Sequence, residues 1–543
     1  MKEHVRIKKE AARRALMGLS RLANTDSGLS PMAVRQLYVA CITPISDFGA
    51  ELWVGKPCKA QISQLTTLHN TAMRKVLGSY KTTPITSMEA LSALLPVEVR
   101  LRHLTRLYAT RILSMPENHP IRQRCPITFP PQQETLRKPD PPKWTRWDDR
   151  TNPKPIYRTR LDKILSTLNE WIEPKTVIEE LDMDAAAPWT ETATKTFILA
   201  APKDEAAKRH TSDVQRLRES GTALLCYSDG SMREKKIGAG AVVYGMTGDI
   251  ITKSIPMGME AEVYDAELEG LRVAAKMALQ QCNRTPNEIE DVYIYLDNQS
   301  AIMRTSHLRA GSGQSASITV DFVVRRLQKK GMKLHVQWVP GQEDIDGNEA
   351  SDEMAGRATI PPPPFGTTTL SYVGRATKER KIKEWKEGWD AKKKSSHFVG
   401  SFRHLPDALL INNNRRLVST MTQLRTGHGR FNSYLGRPGN QNGITQACPC
   451  GAQRQTPEHL LVFCPLLTED REVLKAACDE QTKNQTLLRF RNLLYDPSLL
   501  PAVAEFIKTT NLGGRGWSPG PQEGEELEGD EEMEEEDEED EEE

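Results

Sequence analysis

The clearest pattern of apolar and polar positions lies between residues 223 and 358. Five short apolar runs bounded by turn residues predict β-strands: ALLCYSD (223–229), GAGAVVYG (238–245), DIITKSIP (249–256), DVYIYLD (291–297) and KLHVQWVP (333–340). The second and third runs are joined by a tight Met-Thr-Gly connection, which predicts a hairpin. Apolar positions at helical spacing predict helices over 263–282 and 348–358. This part of the chain is therefore predicted to be an α/β domain.

Four acidic residues occupy special positions in these elements. Asp229 and Asp297 end predicted strands, and a Gly-Ser turn is expected directly after Asp229. Glu267 lies beside the apolar stripe of the first helix, and Asp352 lies in the first turns of the second. Ligands of open α/β sheets bind at the carboxyl ends of the strands, so the four acids are expected in one crevice. Four carboxylates would repel one another there unless divalent cations were bound, and oxygen ligands favour Mg²⁺ or Mn²⁺.

Each acid taken singly has a simpler interpretation. A strand-end aspartate is commonly a turn or cap residue, and an acid at the start of a helix is favoured by the helix dipole. It is the set of Asp229, Glu267, Asp297 and Asp352 that favours a metal site. Two ions about 4 Å apart can hold the attacking and leaving oxygens of a phosphodiester displacement.

The motifs YSDGS, AEL, LDNQSA and VPG followed by DGNEASDEMA resemble a type 1 ribonuclease H domain over residues 218–360. The resemblance implies an α/β core with a mixed five-stranded sheet and an endonuclease, a hydrolase that cuts the RNA strand of RNA–DNA hybrids. It implies that Asp229, Glu267, Asp297 and Asp352 are the catalytic ligands of two Mg²⁺ or Mn²⁺ ions.

One position departs from the motif of that family. Gln342 stands where the family usually has a histidine that assists proton transfer or product release. Glutamine cannot transfer a proton near neutral pH, so a slower enzyme is expected. The alternative is a nucleic-acid-binding relic with little or no catalytic activity.

Residues 1–113 are helical by pattern, with a second helix predicted to begin at Ser30 and to run to residue 53. Two apolar stripes at helical spacing are expected to be buried: Ala12, Ala15, Leu16, Leu19 and Leu22 in one helix, and Leu65, Leu68, Ala72 and Val76 in another. The segments YVACITPISDFGAELW, LHNTAMRKVLGSYKTTP and LLPVEVRLRHL resemble the thumb and connection region of non-LTR (LINE-type) retrotransposon reverse transcriptases. No aromatic-x-Asp-Asp polymerase signature occurs, so a polymerase palm is not expected. The resemblance implies other retrotransposon-encoded proteins as partners.

Two further segments separate or follow these regions. Residues 114–195 are rich in proline and polar residues and are predicted to be a linker of low order, with one short helix in 161–172. Residues 376–440 form a basic helical region in which Trp385 and Trp389 share one helix face. These rings either stack on nucleic acid beside a phosphate backbone or pack on a core.

Residues 441–510 hold a candidate zinc site followed by helix. Cys448, Cys450, His459 and Cys464 have the spacing C-x-C-x8-H-x4-C, and four such ligands suit a structural Zn²⁺. The segment resembles the C-terminal zinc-binding segment of LINE-type elements, which more often has C-x2-C. The alternative is a group of small buried thiols with a hydrogen-bonded histidine. His428 is expected to be either a structural contact or a nucleic-acid contact.

Charge changes the picture at the C terminus. Residues 523–543 contain 17 acidic and no basic residues, which leaves 73 basic against 56 acidic residues in the remainder. The basic body suits a polyanion such as an RNA–DNA hybrid, and the tail 511–543 is expected to be disordered.

Compartment is constrained only broadly by the sequence. Nine cysteines without a paired spacing favour a reducing compartment. The absence of an apolar signal region or of a run of about 20 apolar residues predicts an intracellular chain without a membrane span, with nuclear or cytoplasmic location left open. The chain is thus expected to be multidomain: a helical N-terminal region, an α/β core, a helical C-terminal region with a small zinc segment, and an acidic tail.

Overall fold

The chain folds into two compact units. The terminal unit comprises Met1–Phe48, Ala60–Val97 and Lys386–Glu543, and the central unit comprises Gly49–Lys59 and Glu98–Trp385. The structure, a computed structural model, describes residues 2–23, 28–53, 59–124, 160–168, 177–187, 189–246, 248–285, 288–360, 367–393, 402, 414–438, 444–483 and 487–514. The predicted acidic tail lies outside the described residues from position 515 onward, and so do residues 125–159 of the predicted Pro-rich linker.

The helices of the described residues are α1 (Lys2–Leu22), α2 (Pro31–Leu37), α3 (Thr43–Ser46), α4 (Ala50–Trp53), α5 (Lys59–Leu77), α6 (Ile85–Ser92), α7 (Val97–Leu113), α8 (Arg160–Ser166), α9 (Lys203–Ser220), α10 (Val263–Arg284), α11 (Gln299–Arg304), α12 (Gln314–Gln328), α13 (Asp346–Arg357), α14 (Leu370–Lys393), α15 (Arg415–Thr426), α16 (Asn432–Leu435), α17 (Thr468–Thr482), α18 (Phe490–Tyr495) and α19 (Leu500–Thr509). The strands are β1 (Val177–Ile178), β2 (Lys195–Phe197), β3 (Ala223–Arg233), β4 (Lys236–Tyr244), β5 (Ile250–Gly258), β6 (Asp291–Leu296), β7 (Lys333–Trp338) and β8 (Thr367–Thr368).

The main sheet of the central unit has six strands in the order β2-β7-β6-β3-β4-β5. Strands β2, β7, β6 and β3 are parallel, whereas β4 and β5 continue from β3 as antiparallel hairpins. The prediction of five strands is therefore wrong, because β2 adds a sixth strand along the edge of β7. All three residues of β2 are exposed, so this strand has no alternation of buried and exposed positions by which sequence could have revealed it.

The first long strand also differs from its predicted end. Backbone pairing continues through Asp229, which lies opposite Gly240, and the chain turns only at Glu234 and Lys235, both at positive φ. Asp229 therefore lies within β3, and the turn predicted directly after it is wrong. A glycine is needed at position 240, because a Cβ there would collide with the carbonyl oxygen of Ser351 in α13.

Helices cover both faces of the main sheet. Leu224 and Cys226 of β3 pack with α10 and α12 in the largest apolar cluster. Leu225 and Tyr227, which alternate with them, face a second cluster that includes Val214 of α9. Helix α13 also lies on this second face, and Gly347 packs against the Tyr227 ring. The parallel strands thus place their carboxyl ends at one edge, with helices on either side.

The described parts of the predicted linker contain regular structure. Helix α8 buries Ile164 and Leu165 together with Ile178 of β1, and β1 pairs with β8. These residues differ from the expectation of low order over 114–195, because a few apolar side chains between the prolines find a core against α7 and α14.

The terminal unit is helical, as its pattern predicts. Of the first stripe, Ala12, Leu16 and Leu19 are buried, but Leu22 is 53% exposed and Ala15 is only partly buried. All four residues of the second stripe are buried. Ser30 caps α2 by accepting a hydrogen bond from the Ala33 N–H at 3.2 Å. The single helix predicted over 30–53 is wrong in its second half. The helical backbone continues through a π-helical turn at Tyr38–Ile42 and past Pro44 to Ser46. It is then interrupted by a turn at residues 47–49, where Gly49 has a φ of 70°, before α4 begins.

The two tryptophans of α14 are both 2% exposed. Trp385 belongs to the central unit, and Trp389, in the terminal unit, donates its indole N–H to the Thr86 carbonyl at 3.0 Å. A buried ring cannot stack on a base, so the core interpretation holds for both. Among the described residues, no helix combines the length and the apolar character that crossing a membrane requires.

Candidate metal centre

Three of the four predicted acids meet at the carboxyl edge of the parallel strands. Asp229 comes from β3, Glu267 from the second turn of α10, and Asp297 directly follows β6. One carboxylate oxygen from each lies within 4.8 Å of the others. The backbone at Asp297 is fixed by the Trp338 indole N–H, which donates to the Asp297 carbonyl at 2.9 Å. Neighbouring strands and one helix therefore supply a compact set of oxygen ligands.

Asp352 lies at the rim of this set. Its side chain is exposed on α13, and its carboxyl group is in hydrogen-bonding contact with that of Asp229. The structure thus brings all four predicted acids to one place, with three inside and one at the opening.

Burial raises the pKa of all three inner acids when no cation is bound. Asp229 is 8% exposed and Glu267 is 4% exposed. Burial, followed by the neighbouring Asp297 charge, raises the pKa of Asp229 to about 8. Burial and then the charges of Asp229 and Asp297 raise the pKa of Glu267 to about 9. The pKa of Asp297 is also raised by burial, against the opposing charge of Lys203.

Only one of the two Glu267 carboxylate oxygens has hydrogen-bond partners among the described residues. The Gly230 N–H and the Asn298 side chain are within hydrogen-bonding reach of this carboxylate. Glu267 Oε2 is buried and has no hydrogen-bond partner among the described residues. A buried oxygen of this kind is costly unless a cation or water satisfies it. The donor set, made only of carboxylate oxygens, fits Mg²⁺ or Mn²⁺.

Two residues near the cluster were not predicted from the sequence. Asn298 caps α11 by accepting from the Ala301 N–H at 3.1 Å while its side chain also reaches Glu267. Its position directly after Asp297, a predicted metal ligand, could have indicated this role. Lys203, in the first turn of α9, lies in a segment where no element had been predicted.

Gln342 lies in the loop between β7 and α13, beside the cluster. It follows Gly341, where a Cβ would collide with the Asp297 carboxylate, and it has a left-handed φ of 63°. Gln342 is therefore the next residue after one that contacts the Asp297 carboxylate.

The four predicted zinc ligands also come together, in the terminal unit. Ligand atoms of Cys448, Cys450, His459 and Cys464 all lie within 4.8 Å of one another. The Cys448 and Cys464 sulfurs are 3.8 Å apart, and the Cys450 sulfur is 3.2 Å from His459 Nε2. Two sulfurs bound to one tetrahedral Zn²⁺ at about 2.3 Å lie roughly 3.8 Å from each other. The C-x-C spacing therefore permits a four-ligand cluster.

Local backbone geometry sets this second cluster. A turn closed by the Gly451 N–H on the Cys448 carbonyl, at 2.9 Å, presents the first two cysteines. His459 begins a π-helical turn that ends before Cys464. Burial raises the pKa of Cys464 to about 12, so a cation is needed to hold it as a thiolate at neutral pH.

His428 makes structural contacts. Its Nδ1 lies 3.3 Å from the Thr82 hydroxyl, and its ring lies 4.9 Å from the Tyr434 ring. Burial, followed by the charge of Arg437, lowers the pKa of His428 to about 4. The ring is therefore neutral at physiological pH.

Comparison with known proteins gives similarities to solved structures that each cover about a quarter of the chain. No family model and no curated protein matches the chain. Ribonuclease H1 from the archaeon Halobacterium salinarum is 19% identical, and the match covers 25% of this chain and 96% of that one, with a TM-score of 0.19. The N-terminal RNase H domain of a Mycobacterium tuberculosis protein is 17% identical, with 25% and 99% coverage and a TM-score of 0.20. A ribonuclease H1 isolated from compost is 18% identical, with 25% and 96% coverage and a TM-score of 0.20.

Proposed function

We propose that the central unit is a metal-dependent endonuclease that cuts the RNA strand of RNA–DNA hybrids. The observation that carries this proposal is the meeting of Asp229, Glu267 and Asp297 within 4.8 Å, with Asp352 against Asp229. These are the acids named by the sequence motifs, and they arrive from β3, α10, the end of β6 and α13. The buried, unpartnered Glu267 Oε2 further supports a bound cation.

Each residue of the cluster would have a role that follows from its position. Bound Mg²⁺ or Mn²⁺ would activate a water molecule and stabilise the departing 3′ oxygen. Asp229, Glu267 and Asp297 would hold the cations, and Asp352 at the rim would complete the set on the substrate side. Asn298 orients Glu267, and Trp338 fixes the backbone of Asp297. Choice of the RNA strand would depend on contacts to 2′-hydroxyl groups and on the shape of the hybrid.

The experiment is cleavage of an end-labelled RNA–DNA hybrid with Mg²⁺ and with Mn²⁺, beside the Asp297→Asn protein. The expected result is RNA fragments from the wild-type chain, none from the variant, and hybrid binding by both. Asp390→Asn is the matched control, because Asp390 is an exposed acid of α14 in the other unit and its loss should leave cleavage unchanged. Cleavage that persists in Asp297→Asn would contradict the proposal.

Gln342 favours a second candidate function, a nucleic-acid-binding module with little catalysis. A glutamine beside the cations can donate and accept hydrogen bonds but cannot transfer a proton near neutral pH. This alternative predicts that the wild-type chain binds the hybrid and leaves it uncut in both metals.

We infer further that Cys448, Cys450, His459 and Cys464 hold a structural Zn²⁺, since four protein ligands leave no open coordination position. The motifs of residues 1–113 and of the cysteine segment also support a relationship to LINE-type reverse transcriptases. Other retrotransposon-encoded proteins would then be candidate partners.

A further inference from the structure

Helix α9 begins at the edge of the sheet where the acids meet. Strand β2 runs parallel to β7, and Phe197 lies opposite Gln337, one residue before the end of β7. The chain then passes through residues 198–202 and enters α9 at Lys203. Because parallel strands end at the same edge, the first turn of α9 starts beside the carboxyl ends of β7 and β6.

One stripe of α9 faces the sheet. Ala206, His210 and Val214 are buried along it. Lys203 is seven residues before His210, and a spacing of seven returns to nearly the same side of a helix. Lys203 therefore points in the same direction as this stripe, two turns closer to the start of the helix.

The contacts of His210 show which part of the sheet this side of α9 faces. Its ring centroid lies 4.5 Å from that of Tyr295, and Tyr295 is two residues before Asp297 on the same face of the strand. Two helical turns span about 10 Å, and two strand residues span about 7 Å. Lys203 thus projects past the end of β6 toward Asp297. Consistent with this geometry, the Lys203 charge opposes the effect of burial on the pKa of Asp297.

The Lys203 side chain is accessible to a further ligand. Lys203 is exposed, and it forms no ion pair within 4.0 Å with any of the residues the structure describes. The acids next to it in sequence, Asp204 and Glu205, are turned about 100° and 200° around the helix axis. A cation held at the mouth of a carboxylate cluster suits a phosphate that approaches bound metal ions.

We propose that Lys203 is a substrate-contacting residue that binds a backbone phosphate of the RNA strand beside the metal centre. This inference rests on the function proposed above and deepens it. Helix α9 lies before the region that carries the four acid motifs, so the contact is supplied by the segment that leads into that region.

The test compares Lys203→Met with Lys208→Met in the full chain. Lys208 is an exposed lysine of the same helix, about 140° away from Lys203 around the helix axis, so both variants lose the same charge from one element. Binding of a fluorescent RNA–DNA hybrid is measured by anisotropy at several salt concentrations without added divalent cation, and kcat and KM are measured with Mg²⁺. Lys203→Arg tests rescue, and circular dichroism of each variant checks folding.

The expected result is a roughly fivefold to tenfold weaker Kd for Lys203→Met near 0.1 M salt, with a slope of log Kd against log salt that falls by about one. KM should rise in parallel, Lys203→Arg should restore most of the affinity, and Lys208→Met should behave as wild type. If Lys203→Met and Lys208→Met have equal slopes while the wild type cuts the hybrid, Lys203 makes no phosphate contact and only this inference is overturned. A loss of kcat with an unchanged slope would likewise overturn it, since Lys203 would then act only on Asp297.

The proposed function can fail separately. If the wild-type chain binds the hybrid without cutting it, the nuclease assignment is lost, and the salt slope still decides the role of Lys203. If the wild type neither binds nor cuts the hybrid, both proposals are overturned.

Discussion

A methyl group at position 230 would lie 2.7 Å from the backbone nitrogen of Glu267. This close approach lets α10 rest directly on β3, so that the Glu267 carboxylate reaches the one on Asp229. The distance between strand and helix is thus a condition for the carboxylate cluster, and Gly230 sets it.

Gly230→Ala is expected to destabilise the protein by about 1–3 kcal/mol, because backbone must shift to admit the added carbon. The same shift should move Glu267 away from the other acids and weaken cation binding. Thermal unfolding with and without Mn²⁺ measures both effects. Gly374→Ala is the control, since that helical glycine has open space around it and the change should be neutral or slightly stabilising. Equal behaviour of the two variants would show that the approach at Gly230 is not needed.

A divalent cation should stabilise the wild-type chain and not its Glu267→Gln variant. The cation binds the folded carboxylates, so the melting temperature should rise with Mg²⁺ or Mn²⁺ concentration. Protons compete for Asp229 and Glu267, whose pKa values are raised to about 8 and about 9, so the shift should grow between pH 6 and pH 8. Differential scanning fluorimetry over this pH range measures it. A wild-type melting temperature that does not change with either metal would argue against the metal centre.

His210 should make stability fall under mildly acidic conditions. Burial lowers its pKa to about 4, whereas an unfolded histidine titrates near 6.5. The unfolded state therefore binds the proton more readily, and the stabilisation present above pH 6.5 is lost as the pH falls toward 4. The wild type should lose up to about 3 kcal/mol more than His210→Phe over this range. Denaturant unfolding at pH 7.5, 6, 5 and 4.5 checks the difference.

The His210→Phe control has one cost of its own. His210 Nε2 lies 3.0 Å from the Tyr227 hydroxyl, which loses this partner in the variant. The variant should therefore be about 1 kcal/mol less stable at pH 7.5, with a flatter pH profile. Parallel profiles for the two proteins would exclude His210 as the titrating group.

The cysteine cluster predicts one zinc ion per chain. Cys450→Ala should lose the metal and lower the melting temperature of the terminal unit, because a structural zinc contributes directly to folding. Cys478→Ala is the matched control, since Cys478 is a buried cysteine of the same core outside the cluster. Metal analysis of proteins purified without added zinc distinguishes the two. Full zinc content in Cys450→Ala would contradict the assignment.

Gln342→His should raise kcat for hybrid cleavage by roughly tenfold or more, because an imidazole at this position can transfer protons near neutral pH. The left-handed backbone at φ 63° accepts histidine and asparagine more readily than most residues. Gln342→Asn therefore serves as the control for backbone and hydrogen bonding, and it should not be faster than wild type. Turnover measured from pH 5.5 to pH 8 should show a new dependence near 6.5 only in Gln342→His.

Much of the site could be predicted from the sequence. Asp229, Glu267 and Asp297 were expected together because the two aspartates end short apolar runs that predict strands and Glu267 lies beside the apolar stripe of a helix. The cysteine cluster was predicted for a related reason, since its ligands are close in sequence and a turn and one helical segment suffice to bring them together.

Other features were decided only by tertiary structure. Strand β2 has three exposed residues and no alternation of buried and exposed positions. Its place beside β7 depends on backbone pairing, which the side chains do not predict. The extension of β3 beyond Asp229 depends on its partner β4 in the same way. Lys203 gained its place beside Asp297 because α9 packs on the sheet through His210 and Val214. Sequence periodicity determines which side chains are buried, whereas strand neighbours and helix approach are fixed by contacts between residues far apart in the chain.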